Sequence, residues 1–351
     1  MITVIPAAGK SSRYFGKKPK WLRTLPQGNL MIEKAVEGLL ANSDRLLLII
    51  TKRIEQEFGV TELMHQIFSS KMEVVVLDQS TKSAVETVVE GLKIAGVDLK
   101  SKLIIKDSDN IVEFTLPSFD QVFSVGVDIS SKAVNNVGAK SFFRLSEERN
   151  VTEFVEKKVI SQYVSVGTHG FTSVSTFLDY ATMLFSNSPL SVQEYFISNV
   201  LALMIYDGVI VDYVEAEKYL DLGTQQEWES LRKAKATYFI DFDGTLVENI
   251  GKYGKKRWGD KDVALESNLS LLKKFFDEGA QIVITTSRSG EFEGHILEFL
   301  NEWGIKPYQI ITGLNHSQRI LINDFADTNV FPSASAINVP RNGDLNQFFV
   351  L

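Results

Sequence analysis

The sequence predicts an α/β protein: a mixed, mainly parallel sheet with helices on both faces, followed by a smaller α/β domain. Three observations carry this. Short apolar runs alternate with amphipathic stretches from the first residue onward, the pattern turns strand-rich and mixed from about Ser124 to Val214, and it restarts at Ala236. The length of 351 residues agrees, since roughly 100–200 residues make one domain.

Taken in order, Met1–Pro6, Arg45–Thr51, Glu73–Leu77 and Lys102–Lys106 are short apolar runs of strand length. Leu30–Leu40 and Ser83–Ile94 lie between them with apolar residues at three- and four-residue spacing, which predicts helices. This βαβα order predicts parallel strands covered by helices. Gln225–Lys235 is polar and helix-prone and leads into a linker, so the boundary falls near residue 234, giving domains 1–234 and 235–351. Beyond it, Tyr238–Ile240, Gln281–Thr285, Gln309–Thr312, Arg319–Ile322 and Ser335–Val339 read as strands. Leu269–Glu278 and His295–Trp303 read as helices.

Composition narrows the function. The absence of Cys excludes a disulfide framework, thiolate metal ligation and a cysteine nucleophile, and fits a reducing compartment. A net charge of -7 argues against nucleic acid held by a basic surface. The longest apolar stretches, Leu46–Ile50 and Asn199–Val211, are too short to span a membrane, and the second contains Asp207. The start, MITVIPAAGKSSR, reads as a buried first strand and not a secretory signal, so a cytoplasmic protein without membrane insertion is expected. A homo-oligomer is compatible with the sequence. His65, His169, His295 and His316 show no metal spacing and read as surface or satisfied core residues; Trp21 reads as core.

Chemistry concentrates in two regions. After the first strand, Ala7-Ala8-Gly9-Lys10-Ser11-Ser12-Arg13 is a small-residue loop that lets backbone N–H groups approach phosphate, with cations at Lys10, Arg13, Lys17, Lys18 and Lys20. Lys106-Asp107-Ser108-Asp109-Asn110 ends a strand in two carboxylates, at the sheet edge where open α/β sheets bind ligands. Tyr219-Leu220-Asp221-Leu222-Gly223-Thr224 adds a third carboxylate beside a glycine turn. Glu156-Lys157 precedes the apolar run Tyr163–Phe171. Carboxylates of this kind suit Mg²⁺, which takes one or two of them together with substrate phosphates.

In this order the segments resemble the sugar nucleotidyltransferase family, the thymidylyl-, uridylyl- and cytidylyltransferases of phosphorylated sugars and alcohols, over roughly residues 1–226. AAGKSSR followed by PK is similar to the family's phosphate loop, QSTKSAVET (79–87) to its nucleobase and substrate loop, and KDSDN to its first metal-binding carboxylate. EKKVIS with SVGTHGF resembles its acceptor segment, and YLDLGT its closing signature. The resemblance implies an NTP bound by Ala7, Ala8, Gly9, Lys10, Arg13, Gln79 and Thr81, and a phosphorylated sugar or polyol bound by Glu156, Lys157 and Gly167. It implies Mg²⁺ on Asp221 and either Asp107 or Asp109, Arg13 and Lys10 on the β,γ-phosphates, Lys20 on the α-phosphate and Lys157 on the acceptor phosphate. The acceptor phosphate would attack the α-phosphorus and release pyrophosphate. The loop lacks the Gly-Gly-x-Gly-Thr-Arg form of the sugar-specific branch and looks more like the cytidylyltransferases, which tilts the nucleotide toward CTP.

The second region is Tyr238–Val247, YFIDFDGTLV. Strand alternation sets Asp241 and Asp243 on one side and turns Phe242 toward the core. DFDGTL resembles motif one of the haloacid dehalogenase superfamily in its phosphatase form, and the resemblance covers roughly residues 236–351. Ile284–Arg288 is similar to motif two, with Thr286 aligned best on the phosphate-binding hydroxyl and Thr285 as the alternative. Arg319–Asp324 resembles motifs three and four. The resemblance implies Asp241 as nucleophile, Asp243 as acid and base, Arg319 as phosphate counter-charge, and Mg²⁺ on Asp241, the Asp243 carbonyl and Asp324. Asp327 either assists or is a turn residue. The chain between Thr245 and Gln281 is too short for a cap domain of roughly 50 residues. The loop with Tyr253, Lys255, Lys256, Arg257 and Trp258 either covers the site or is a solvated turn.

Together these readings predict a bifunctional enzyme: a nucleotidyltransferase fused to a phosphatase, supplying an activated precursor for a surface glycan. The phosphatase acts either before or after nucleotidyl transfer. The alternatives are cytidylyl transfer to phosphocholine- or phosphonate-type acceptors, which calls for an aromatic cage, and a regulatory protein with one inactive domain.

Overall fold

The computed structural model describes residues 1–9, 18–130, 134, 136–187, 194–249, 255–258, 260–324 and 333–349. The chain divides into two compact units, Met1–Glu227 and Trp228–Leu351.

The first unit runs β1 (Ile2–Pro6), α1 (Met31–Val36), β2 (Arg45–Thr51), α2 (Lys52–Phe58), α3 (Val60–Phe68), β3 (Met72–Leu77) and α4 (Ala84–Ala95). It continues through β4 (Leu103–Lys106), β5 (Asn110–Glu113), β6 (Val122–Asp128), β7 (Ser141–Leu145), β8 (Val151–Glu156) and β9 (Tyr163–Phe171). It closes with α5 (Val174–Asn187), α6 (Ile197–Tyr206), β10 (Val211–Glu215) and β11 (Lys218–Asp221). The main sheet has the order β10-β6-β9-β4-β1-β2-β3, with β7 and β8 joined beside β9. β1, β2, β3 and β4 are mutually parallel, and β9 runs antiparallel to both β4 and β6. The mixed sheet expected from the sequence is therefore present.

Helices cover both faces, and this explains why the strands read as unbroken apolar runs. Leu47 and Ile49 of β2 pack into one core with α4, α5 and α6. Leu46, Leu48 and Ile50 turn to the opposite core with α1, α2 and α3. All five are fully buried. Local signals set the helix ends. The Ser83 hydroxyl caps α4 by accepting from the Glu86 N–H at 3.1 Å, and Gly96 ends that helix in the left-handed region.

α7 (Gln225–Ala234) spans the division between the units. The second unit contains β12 (Thr237–Asp241), α8 (Glu266–Asp277), β13 (Gln281–Thr285), α9 (Glu293–Glu302) and β14 (Gln309–Ile311). The three strands form a parallel sheet in the order β12-β13-β14. Its core gathers Phe242, Leu246, Leu269, Leu272, Ile284, Ile296 and Leu300, and Tyr238 stacks on Phe275 with ring centroids 4.7 Å apart.

Two expected strands are absent here. Arg319–Ile322 and Ser335–Val339 are irregular, and Ile320, Leu321 and Ile322 stand 75%, 57% and 89% exposed. An apolar run becomes a strand only where a neighbour accepts its backbone hydrogen bonds. Among the described residues, β12 pairs with β13 alone, and nothing pairs with the 319–322 run.

Candidate functional site

The first cluster forms where β4 and β11 end and β5 begins, beside Gly167 in the middle of β9. β11 pairs antiparallel with β5, and this register sets Asp221 opposite Asn110. The Leu222 N–H then donates to the Asp109 carbonyl at 2.9 Å. Asp109 and Asp221 thus stand together over Gly223. A Cβ there would lie 2.9 Å from Asp109 Oδ2 and 3.1 Å from Asp221 Oδ1, so the glycine leaves the space between the two carboxylates. Of the two acids open at sequence level, it is Asp109 that joins Asp221. Asp107 turns to Gly167, whose φ of +67° and missing side chain admit the carboxylate, and the Asp107 N–H donates to the Gly167 carbonyl at 2.8 Å.

Cations surround these acids. Lys20 pairs with Asp109, and Lys140 pairs with Asp221. Lys106 is fully buried. Its ammonium donates to the carbonyls of Asp107 at 2.8 Å and Asn110 at 3.1 Å, and to the Asn110 side chain, so it clamps the loop that carries the acids. Desolvation lowers the Lys106 pKa to about 8 against the pull of Asp107 and Asp109. Asp107 is exposed as a residue, with its carboxylate set against Gly167; desolvation, then the Asp109 charge, push its pKa up to about 6. Behind the cluster, His169 is buried with Nδ1 3.0 Å from Ser124 Oγ; burial, then Lys106, lower its pKa to about 3.

Two hard oxygen donors with space between them suit Mg²⁺ sharing phosphate oxygens, so Asp109 and Asp221 fit that ion. Among the described residues no group of three or more metal-ligating side chains occurs.

The remaining predicted residues divide. Ala7 and Ala8 are buried behind β1, and Gly9 is exposed at its end. Gln79 is exposed on the loop before α4, whereas the Thr81 hydroxyl is engaged with Thr87 and the Ser83 carbonyl. Glu156 is a fastener, accepting from Ser141 and Ser198. Lys157 is exposed, with φ of +54° and its ammonium 4.6 Å from the Phe196 ring centroid. Lys10 and Arg13 lie outside the described residues, as do Lys17, Tyr253 and Asp327. The aromatic group Phe143, Tyr163 and Tyr213 packs on itself, with centroids 5.6–6.2 Å apart and Arg149 already 5.0 Å from the Tyr213 centroid, which is core packing and not a cage.

The second cluster lies at the end of β12, in a crevice of about 1760 Å³ lined by Asp241, Asp243, Thr285, Ser287, His316 and Arg319, among others. Arg319 Nη2 is 3.7 Å from Asp241 Oδ1, and its Nη1 donates to the carbonyls of Asn315 and Ser317 at 2.9 and 2.8 Å. The Asp241 side chain is 47% exposed, so its desolvation is partial. That desolvation still dominates and raises its pKa to about 6, with Arg319 opposing and Asp243 adding to the rise.

Asp243 is held differently. Both of its oxygens take Arg288 Nε at 3.1 Å, Nη2 donates to Oδ1 at 2.7 Å, and the Thr286 hydroxyl donates to Oδ2 at 3.1 Å. Arg288 is fully buried, lies 4.9 Å from the Phe242 ring centroid, and also binds Asp262, which contacts His295 Nε2 at 2.9 Å. Thr286, preferred at sequence level for phosphate, is therefore turned inward, and Thr285 and Ser287 line the crevice. Asn323 also lines it, while Asp324 is exposed and does not, because the 319–322 run that would carry it to Asp241 is not paired into the sheet.

The fold is similar to that of several solved enzymes over about two thirds of the chain. Among solved structures, the nucleoside-diphosphate-sugar pyrophosphorylase of Vibrio cholerae RC9 superposes with a TM-score of 0.57 at 22% identity, covering 66% of this chain and 99% of that one. The inositol-1-phosphate CTP transferase of T. maritima gives 0.52 at 14%, covering 66% and 95%. A UDP-glucose pyrophosphorylase complexed with UDP-glucose gives 0.52 at 16%, covering 66% and 97%. At these identities the likeness is one of fold, and the matched share is close to the length of the unit Met1–Glu227. No protein-family model and no curated protein matches the sequence. No helix among the described residues is long and apolar enough to cross a membrane.

Proposed function

We propose that the first unit transfers a nucleotidyl group from an NTP to the phosphate of a sugar or polyol phosphate and releases pyrophosphate. The observation that carries this is the convergence of Asp109 and Asp221 over Gly223, flanked by Lys20 and Lys140, in a fold shared with pyrophosphorylases. Reaction between two anions is limited by charge repulsion and alignment. Asp109 and Asp221 would hold Mg²⁺, which neutralises charge on the α-phosphate and the attacking phosphate. Lys20 sits beside Asp109, where its ammonium meets the α-phosphate, and Lys157 serves the acceptor phosphate. Lys106 keeps the acid-bearing loop in register throughout. The test is a matrix of the four NTPs, CTP first, against glucose 1-phosphate, inositol 1-phosphate, glycerol 3-phosphate and phosphocholine, read as pyrophosphate. Release with a sugar or polyol phosphate supports the reading; release with phosphocholine alone redirects it, and none across the matrix removes it.

We further propose that the second unit is a phosphatase. Asp241 at the end of β12, half exposed and faced by Arg319, supports this reading. Its carboxylate would attack phosphorus and form an aspartyl-phosphate. Asp243, oriented by its hydrogen bonds from Arg288, would take a proton from water in the second half of the reaction. Asp241 with the Asp243 carbonyl would hold Mg²⁺, and Asp324 joins them only if the 319–324 segment pairs onto β12. The combined reading is an enzyme that supplies an activated, trimmed precursor for a surface glycan.

A further inference from the structure

We propose that Lys140 is a specificity-determining residue on the acceptor side of the first site. Its ammonium holds Asp221 in the resting enzyme and turns to the acceptor's phosphate when nucleotide and divalent cation arrive. The proposal rests on the nucleotidyltransferase reading.

Lys140 lies just before β7, and its ion pair with Asp221 is largely withdrawn from water, at 16% and 9% side-chain exposure. Such a pair is not a solvated surface contact, and separating it without a new partner for each charge is costly. New partners are at hand on both sides. Asp221 faces Asp109 across Gly223, where a divalent cation fits. The Lys157 N–H donates to the Lys140 carbonyl at 2.9 Å, and Ser141 pairs with Glu156, so the two lysines are cross-strand neighbours. Glu156, tied to Ser141 and to Ser198 of α6, anchors that end of the hairpin. Lys20, on Asp109, therefore marks one flank of the acids, and Lys140 with Lys157 marks the other.

Charge points the same way. Among the described residues, Asp107, Asp109 and Asp221 are balanced by Lys20, Lys106 and Lys140, all of which act on this cluster. A divalent cation then swings the site positive, as two anionic substrates require. Without Lys140 the same acids carry a surplus negative charge, which repels the acceptor but attracts a bare cation more strongly. Loss of Lys140 should thus move two affinities in opposite directions.

The test compares wild type, Lys140→Met, Lys140→Gln and Lys140→Arg in the full chain, with folding checked by circular dichroism. Mn²⁺ alone, without nucleotide, is titrated by electron paramagnetic resonance. Pyrophosphate release is measured with the NTP and the sugar or polyol phosphate that the matrix selects. One charge-assisted hydrogen bond sets the scale, so the Met and Gln variants should bind Mn²⁺ about tenfold more tightly and show an acceptor KM about tenfold higher. The KM for NTP should change little, and Arg should restore both values toward wild type. Weakening of both affinities, or no change in either, overturns the proposal, because a structural role gives the first and a spectator the second. If wild type releases no pyrophosphate with any pair, the nucleotidyltransferase reading fails instead. The Mn²⁺ titration then still decides whether Lys140 competes with a cation for Asp221.

Discussion

The two units build their acid clusters by different means. In the first, Asp109 and Asp221 come from distant stretches of chain and meet because β5 and β11 pair in a fixed register. In the second, Asp241 and Asp243 come from one strand end, while Asp324, expected to join them, lies on an exposed segment that pairs with no strand among the described residues. Backbone pairing, more than motif spelling, determines whether distant acids share a site. A motif within one strand end assembles itself; a motif split across the chain needs a ladder to carry it.

The strongest way to break this comparison is to remove one acid from each cluster. Asp221→Asn should lower pyrophosphate release by at least about a thousandfold and leave phosphate release intact, because the proposed site loses the charge of one of its two acids. Asp241→Asn should do the reverse to a similar degree, since the near-isosteric amide is a poor nucleophile. Both activities are read on the same preparations. If either variant loses both, the units do not hold independent sites.

Next in size is Lys106→Met. It leaves the carbonyls of Asp107 and Asn110 and the Asn110 side chain without their buried donor. Urea unfolding of the first unit should show a loss of about 2–4 kcal/mol. Pyrophosphate release should fall as well, as the acid loop loosens. Unchanged stability would mean that the clamp is idle.

A smaller effect comes from His169, neutral in the folded state down to about pH 3 but protonated near pH 6.5 once unfolded. Between those values the unfolded chain binds the extra proton, so stability falls as pH falls, by up to about 1.4 kcal/mol per pH unit. His169→Gln should flatten that slope in urea titrations between pH 6.5 and 4; a slope equal to wild type would assign the acid sensitivity to other groups. The smallest expected change is Ser83→Ala, which removes the α4 cap and should cost about 1 kcal/mol in the same assay.

What was legible in the sequence follows the same division. β1 and β2 could be read because both of their faces are buried, so every residue reports on burial. DFDGT could be read because one strand end holds both acids, and Phe242 does turn into the core as alternation requires. The burial of Lys106 was not legible: a lysine after Ile105 reads as a solvated strand end, and its acceptors come from the turn that leads into β5. Neither Lys140 nor the Arg288–Asp262 pair carried a signal, since each meets its partner through contacts remote in sequence. The apolar run at 319–322 gave a false strand, because side-chain pattern records a wish for burial and not the neighbour that grants it.

The two-stranded ribbon of β5 and β11 has a further consequence, in the time domain. Pairing Asn110 with Asp221 closes a loop of about 110 residues, an entropic cost of about 4 kcal/mol before any local contact compensates. The sheet must already hold most of that loop before the ribbon can close cheaply. A nascent chain that has emerged only as far as β10 can therefore contain the nearly finished scaffold and no carboxylate pair. Chemical competence in the first unit arrives late in folding, with the last strand to leave the ribosome before α7.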